Sequence, residues 1–186
     1  MTPVANDRGT SQAADRPRVR IAGAADAAVV ARLVEAYLRA TEREKAERLD
    51  GRPLPVDAEL PPHYLDEVEH PERAYADAAV HVAEIGSDVV GVVIAKPLPT
   101  GIEVKRLWVD PRARGLGVGS ALLDAVLAAH STVRLSVWEW RTDAIRLYES
   151  RGFERAASWD PRPGLVCMTR SATSARRRSS PAPRPR

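Results

Sequence analysis

The apolar positions of the chain change period several times, and each change marks an element. "RVRIAG", at 18–23, alternates and reads as a short strand. In "DAAVVARLVEAYLRATEREKAERL" the residues Ala28, Val29, Leu33, Ala36, Tyr37 and Ala40 fall mostly three or four apart. That spacing predicts a helix with one apolar and one charged face, and Asp26 is placed to cap its start. Four prolines in "DGRPLPVDAELPP" stop the helix. "HYLDEVEHPERAYADA" is short and acidic, a second helix or a lid. "AVHVAEIGSDVVGVVIAKPLP" is rich in β-branched residues around a central "GSD" and reads as two strands joined by a tight turn. A strand "GIEVKRLWVD", a helix "GVGSALLDAVLAAH", a strand "TVRLSVWEW" and a helix "TDAIRLYESRGF" closed by Gly152 follow. Two last strands are expected at 153–159 and 165–170, with "DPRPG" turning between them. The order β-α-α-β-β-β-α-β-α-β-β contains a late β-α-β run. It predicts an α/β (α+β) fold, with a mixed central sheet of six to seven strands and helices on both faces.

Two stretches break the regular patterns. In "EVKRLWVDP" the step from Val104 to Leu107 is odd, so strict alternation fails; one bulge restores a single buried face for Val104, Leu107 and Val109. The second stretch is "RARGLGVGS", at 112–120, with three glycines spaced two apart between a strand and a helix. A Walker loop fails here because Ser120 stands where the second glycine is required and no lysine follows, and the dinucleotide and kinase glycine fingerprints fail on spacing. What is left is R-x-x-G-x-G, formed by Arg114, Gly117 and Gly119. Backbone N–H groups converge at the first turn of a helix, where the dipole is positive, and glycines let a pyrophosphate come close. Arg112 and Arg114 add charge-assisted bonds. A tight glycine turn without a ligand is the bland alternative.

Composition narrows the setting. The chain has 186 residues and a net charge of +3, but its last sixteen carry five arginines and no acid, so the rest is at −2. The basic end can bind nucleic acid or an acidic partner, or serve as a solubilising tail, and the last is favoured. The expected organisation is an N-terminal tail at 1–17, one domain at 18–170 and a basic tail at 171–186, both tails disordered. One cysteine, Cys167, excludes an internal disulfide, and the four histidines show no metal spacing. No stretch is long and apolar enough to span a membrane, and the N-terminus has no signal-like apolar core, so the expected location is cytoplasmic.

"VKRLWVDPRARGLGVGSALL" and "LSVWEWRTDAIRLYESRGF" resemble the two central motifs of the GNAT superfamily of acyl-CoA-dependent N-acyltransferases. The resemblance follows the element order over 18–170 and is sharpest over 103–153. It implies a splayed sheet with acyl-CoA, most simply acetyl-CoA, lying in a wedge between the strands at 102–109 and 133–138. It assigns Arg114, Gly115, Leu116, Gly117, Val118, Gly119 and Ser120 to the CoA pyrophosphate. Leu107, Trp108 and Val109 run beside the pantetheine arm through their backbones, and one of their N–H groups would hold the developing oxyanion. Tyr148 matches the tyrosine that is often the general acid for the departing thiolate. One position departs: Arg141 stands where the family usually has asparagine.

The resemblance implies an amine acceptor, a small molecule or a peptide, and a homodimer is a common assembly among such proteins. Glu103 is a candidate base for the amine, with an exposed strand-end carboxylate as the equal alternative. Tyr37, Thr41, Glu42, Glu67, Trp138, Glu139 and Trp140 are candidate acceptor contacts, since carboxylates beside tryptophans suit a cationic amine. Any single glutamate among them is better read as part of a solvated helix face. No membrane or metal partner is expected, and nucleic acid would engage only the tail. The alternative to an N-acetyltransferase is a non-catalytic acyl-CoA-binding sensor of the same fold.

Overall fold

A computed structural model describes residues 16–171, so the expected tails lie outside the described residues except at 16, 17 and 171. Seven strands form one mixed sheet in the order β1-β2-β3-β4-β5-β7-β6. They are β1 (Arg18–Ile21), β2 (Ala79–Ile85), β3 (Asp88–Leu98), β4 (Gly101–Val109), β5 (Thr132–Trp138), β6 (Glu154–Arg155) and β7 (Leu165–Ser171). The helices are α1 (Ala27–Leu49), α2 (Leu65–Glu69), α3 (Pro71–Ala74), α4 (Val118–Ala129) and α5 (Thr142–Ser150). All neighbouring pairs are antiparallel except β4 and β5, which run parallel and are connected through α4.

Each sheet face carries its own core. Val30, Leu33, Val34 and Leu38 of α1 pack with Tyr64, Val82, Val92 and Ile94. On the other face Val118, Leu122, Leu123 and Val126 of α4 and Ile145 and Tyr148 of α5 pack with Val93, Ala95, Val104 and Leu135. The residues of β3 alternate between the two cores, as a strand buried on both faces requires. The expected bulge is present. Ile94 pairs with Lys105 and Val92 with Trp108, so β4 has one residue more than β3 between these pairs. Within that step Arg106 adopts a left-handed φ of 53°. The bulge keeps Val104, Leu107 and Val109 in the same core.

Several expectations change. The buried stripe of α1 runs through Val30, Leu33, Val34, Leu38 and Thr41 rather than Ala28 and Ala36, because larger side chains gain more from burial than alanines do; Val29 and Tyr37 pack at its margin. Asp26 does not cap α1. Its carboxylate accepts from the Gly23 N–H at 2.7 Å and from Arg20 at 2.6 and 2.9 Å, bracing a 3-10 turn before the helix. The acidic segment splits into α2 and α3 at His70, whose φ of −137° suits a residue before proline better than a helix interior does. The strand expected at 153–159 contracts to Glu154–Arg155; after one more bond, from the Ala156 N–H to the Cys167 carbonyl, the chain leaves the ladder. Gly152 closes α5 as expected. Its N–H donates to the Glu149 carbonyl and the Phe153 N–H to the Tyr148 carbonyl, with Phe153 packed on Tyr148 at 5.8 Å between ring centroids.

Candidate active site

The parallel strands β4 and β5 pair only from Ile102–Val133 to Val104–Leu135. Beyond that, β4 turns at its bulge while β5 stays paired with β7 along its whole length. The two strands part, and a cleft of about 840 Å³ opens beyond the last pair, toward their C-terminal ends. Open α/β sheets bind ligands at such carboxyl ends. The stretch of β4 from Lys105 to Val109 makes no ladder pair with β5, so its backbone groups on that side are available to an extended ligand.

The glycine loop and the first turn of α4 form one end of the cleft. Gly117, at φ 79°, caps α4 in the left-handed region that favours glycine. The first-turn N–H groups of α4 have no intrahelical acceptors and carry the positive end of the helix dipole. A Cβ built on Gly115 or Gly117 meets nothing within 4 Å, so the loop presents bare backbone to open space. Leu107, Trp108, Val109, Arg114, Gly115, Gly117, Val118, Gly119 and Ser120 all line the cleft. Leu116 does not: its side chain is half exposed on the outside of the loop. Arg114 lies over Trp108 at 4.9 Å, whereas Arg112 folds back onto Asp110 at 3.0 Å and is not on the wall. This donor set, backbone N–H groups at a helix N-terminus plus one arginine, fits a pyrophosphate.

Tyr148 sits on the wall contributed by α5, buried, with its ring against Phe153. Burial, chiefly, and the neighbouring Tyr37 push its hydroxyl above the ordinary phenol value, against the opposing effect of Arg141. It is therefore a protonated phenol at neutral pH. Glu103 does not reach the cleft. Strand alternation turns it to the α1 face, where it lies 3.8 Å from both Lys105 and Arg134. Its carboxylate stands one side chain behind the wall, since Lys105 lines the cleft.

The other end of the cleft is built from α1, Tyr64 in the turn before α2, the end of β5 and the loop before β7. Tyr37, Thr41, Trp138 and Trp140 line it, as expected. Trp138 and Trp140 stack at 4.7 Å. Glu42 is behind the wall, bonded to Lys45 and accepting from the Tyr64 hydroxyl at 3.1 Å; burial and Glu42 push that hydroxyl up to about 12. Glu139 is exposed and off the wall. Glu67 is withdrawn as well: it accepts from Arg106 at 2.7 and 2.6 Å and from the Tyr75 hydroxyl at 2.5 Å.

Arg141 neither reaches for a phosphate nor points to solvent. Its Nε donates to Glu44 at 2.7 Å and its Nη2 to Thr41 at 2.8 Å, and it stacks over Tyr37 at 5.0 Å. Trp140 Nε1 donates to the same Glu44 oxygen at 2.9 Å, so α1 and the N-terminus of α5 are joined across the cleft. Arg106, Arg162, Tyr64 and Glu44 on this wall were not singled out by the sequence. The phase break at 104–107 pointed at Arg106; nothing in the local pattern points at Arg162 or Tyr64. Among the described residues no group of three His, Cys, Asp or Glu is gathered as metal ligands. No described helix is long and apolar enough to cross a membrane.

Residues 76–155 match the family model of the acetyltransferase (GNAT) domain. No curated protein matches the sequence. Among solved structures, the chain is similar to an acetyltransferase of the GNAT family from Staphylococcus aureus Mu50. That match has 15% identity and a TM-score of 0.60, and covers 84% of this chain and 99% of the other. YncA of Salmonella typhimurium, solved with its cofactor acetyl-CoA, is 18% identical with a TM-score of 0.53, covering 84% and 94%. A ribosomal-protein-alanine N-acetyltransferase from Brucella melitensis is 21% identical with a TM-score of 0.53, covering 83% and 99%. At these identities the likenesses show the fold.

Proposed function

We propose that the GNAT acetyltransferase domain carried by this chain transfers an acetyl group from acetyl-CoA to an amine by direct attack, without a covalent enzyme intermediate. The observation that carries this reading is the wedge between β4 and β5, with the bare glycine loop at one end and Tyr148 on its wall. The Gly117–Ser120 turn and Arg114 would seat the pyrophosphate. The unpaired side of β4 would hold the pantetheine arm, and an N–H of Leu107, Trp108 or Val109 would stabilise the oxyanion. The neutral amine attacks the thioester carbonyl, the C–S bond breaks, and the thiolate takes the proton of the Tyr148 hydroxyl. The proton released by the amine goes to water, and Tyr148 recovers its own from solvent. Holding both reactants in one cleft supplies much of the rate.

The test is thiol release with acetyl-CoA over a panel of amines, with calorimetry for acetyl-CoA binding. Tyr148→Phe should keep acetyl-CoA affinity and lower kcat by about 100-fold, the lower range for a positioned acid. An unchanged kcat would remove Tyr148 from the mechanism. Acetyl-CoA binding with no thiol release on any amine would mark the chain as a sensor instead.

A further inference from the structure

The acceptor end of the cleft carries an unusual arrangement of cations and rings. Aromatic faces near an amine site ordinarily invite a cationic ligand. Here the chain's own arginines occupy them. Arg106 and Arg141 lie over Tyr37 at 5.5 and 5.0 Å, and Arg106 also lies over Tyr64 at 5.4 Å. Arg162 lies over Trp138 at 5.8 Å, and the other neighbour of Trp138 is the stacked Trp140. The seats that a polyamine or aminoglycoside cation would use are filled.

Several carboxylates nearby are already engaged. Glu67 takes two bonds from Arg106 and one from Tyr75, and Glu44 takes one each from Trp140 and Arg141. Asp160 takes the Nε and Nη2 of Arg162 at 2.9 and 2.6 Å. A guanidinium has five donor hydrogens. These bonds use Nε and Nη2 of Arg106 and Arg162, and the Nη1 corner of each is left over, on residues that line the cleft. This end therefore has donors to spare, and the lining carboxylates Glu44, Glu47 and Asp143 are outnumbered by Arg48, Lys105, Arg106, Arg141 and Arg162. An oxyanion fits it, because guanidinium forks match carboxylate geometry.

We infer that the acceptor is a small amine carrying its own oxyanion, of the free amino acid type, with its carboxylate met by Arg162 and Arg106. The inference rests on the acetyl-transfer reading above and names the substrate class for the same cleft. The chemistry is consistent with the reaction: a cationic wall repels an ammonium and favours the neutral amine, the form that attacks.

The experiment uses the full chain, acetyl-CoA and matched acceptors: α-amino acids, their methyl esters, the corresponding decarboxylated amines, and linear polyamines. Thiol release is read at a pH where each amine is partly neutral. The carboxylate-bearing members should exceed their esters and decarboxylated partners in kcat/KM by about tenfold or more, the worth of one charged hydrogen bond. Arg162→Gln lies on a half-exposed loop. It should erase most of that preference while leaving KM for acetyl-CoA unchanged. Polyamines or decarboxylated amines acetylated as well as the amino acids would overturn the inference and leave the transfer reading standing. Acetylation of peptide N-termini alone would overturn it too. If no amine releases thiol, the transfer reading falls. The anion site is then judged by calorimetry on CoA-saturated protein, where amino acids binding no better than their esters would overturn it.

Discussion

Glu67 and Arg106 form the most closely bonded charge pair beside the cleft, and Glu67→Gln tests what it contributes. Both side chains are one-fifth exposed. The carboxylate accepts two charged bonds from Arg106 and one from Tyr75, while Arg106 sits on the β4 bulge at a φ of 53°. Removing one partner of a fully buried pair costs about 3–5 kcal/mol. With partial exposure and a glutamine oxygen that can still accept a bond, about 2 kcal/mol is expected here. For a domain of this size that lowers Tm by about 4–8 °C near neutral pH. Burial alone would raise the Glu67 pKa, but the hydrogen bonds and charge of Arg106 outweigh it and hold the carboxyl below its ordinary value. A group depressed in the folded state stabilises fully above its unfolded value, about 4.3, and loses that contribution as pH falls through the folded value. The Tm gap between wild type and Glu67→Gln should therefore be widest at neutral pH and close in acid. Melts by calorimetry or circular dichroism from pH 3 to 8 measure it. A gap under about 1 °C at neutral pH, or one that is constant with pH, would refute the argument.

Gly91 lies where α4 crosses β3, and a Cβ there would stand 2.8 Å from Val118 Cγ1 and 3.2 Å from the Trp108 carbonyl oxygen. Gly91→Ala should cost about 1–3 kcal/mol by overpacking and raise KM for acetyl-CoA by moving the first turn of α4; a wild-type melt and KM would show that Val118 can yield. Burial and Tyr37 raise the Tyr148 pKa, so its proton is retained through the ordinary phenol value of about 10. With both substrates saturating, kcat should not fall on the alkaline side below that pH, whereas kcat/KM for the amine should rise as the amine deprotonates. An alkaline fall centred well below pH 10 that disappears in Tyr148→Phe would contradict the assignment.

Much of the glycine-loop half of the cleft was legible because its signals are local. The glycines at 115, 117 and 119 sit within one turn of a helix start, and the break in alternation at 104–107 belongs to a single strand. Both survive in the fold as a left-handed helix cap and a bulge. The opposite half was legible only in Thr41 and its aromatic residues. Tyr37, Trp138 and Trp140 reach the wall, but the glutamates read beside them as partners for a cation do not offer free carboxylates there. Glu67 and Glu44 are taken by arginines 39 and 97 positions away in the chain, and the DPRPG pattern marks a turn without showing that Arg162 faces the cleft. Arg141, read from its motif as a departure near the cofactor, instead ties α5 to α1.

By itself, then, the sequence determined the order of strands and helices, the bulge and the bare backbone cradle, because periodicity, glycine φ and helix-start chemistry act over a few neighbouring residues. Only the tertiary structure decided how far β4 and β5 part and which charges cancel across the cleft. Those outcomes depend on side chains brought together from distant parts of the chain, where charge pairing at 2.6–2.9 Å overrides what each residue's own segment suggests.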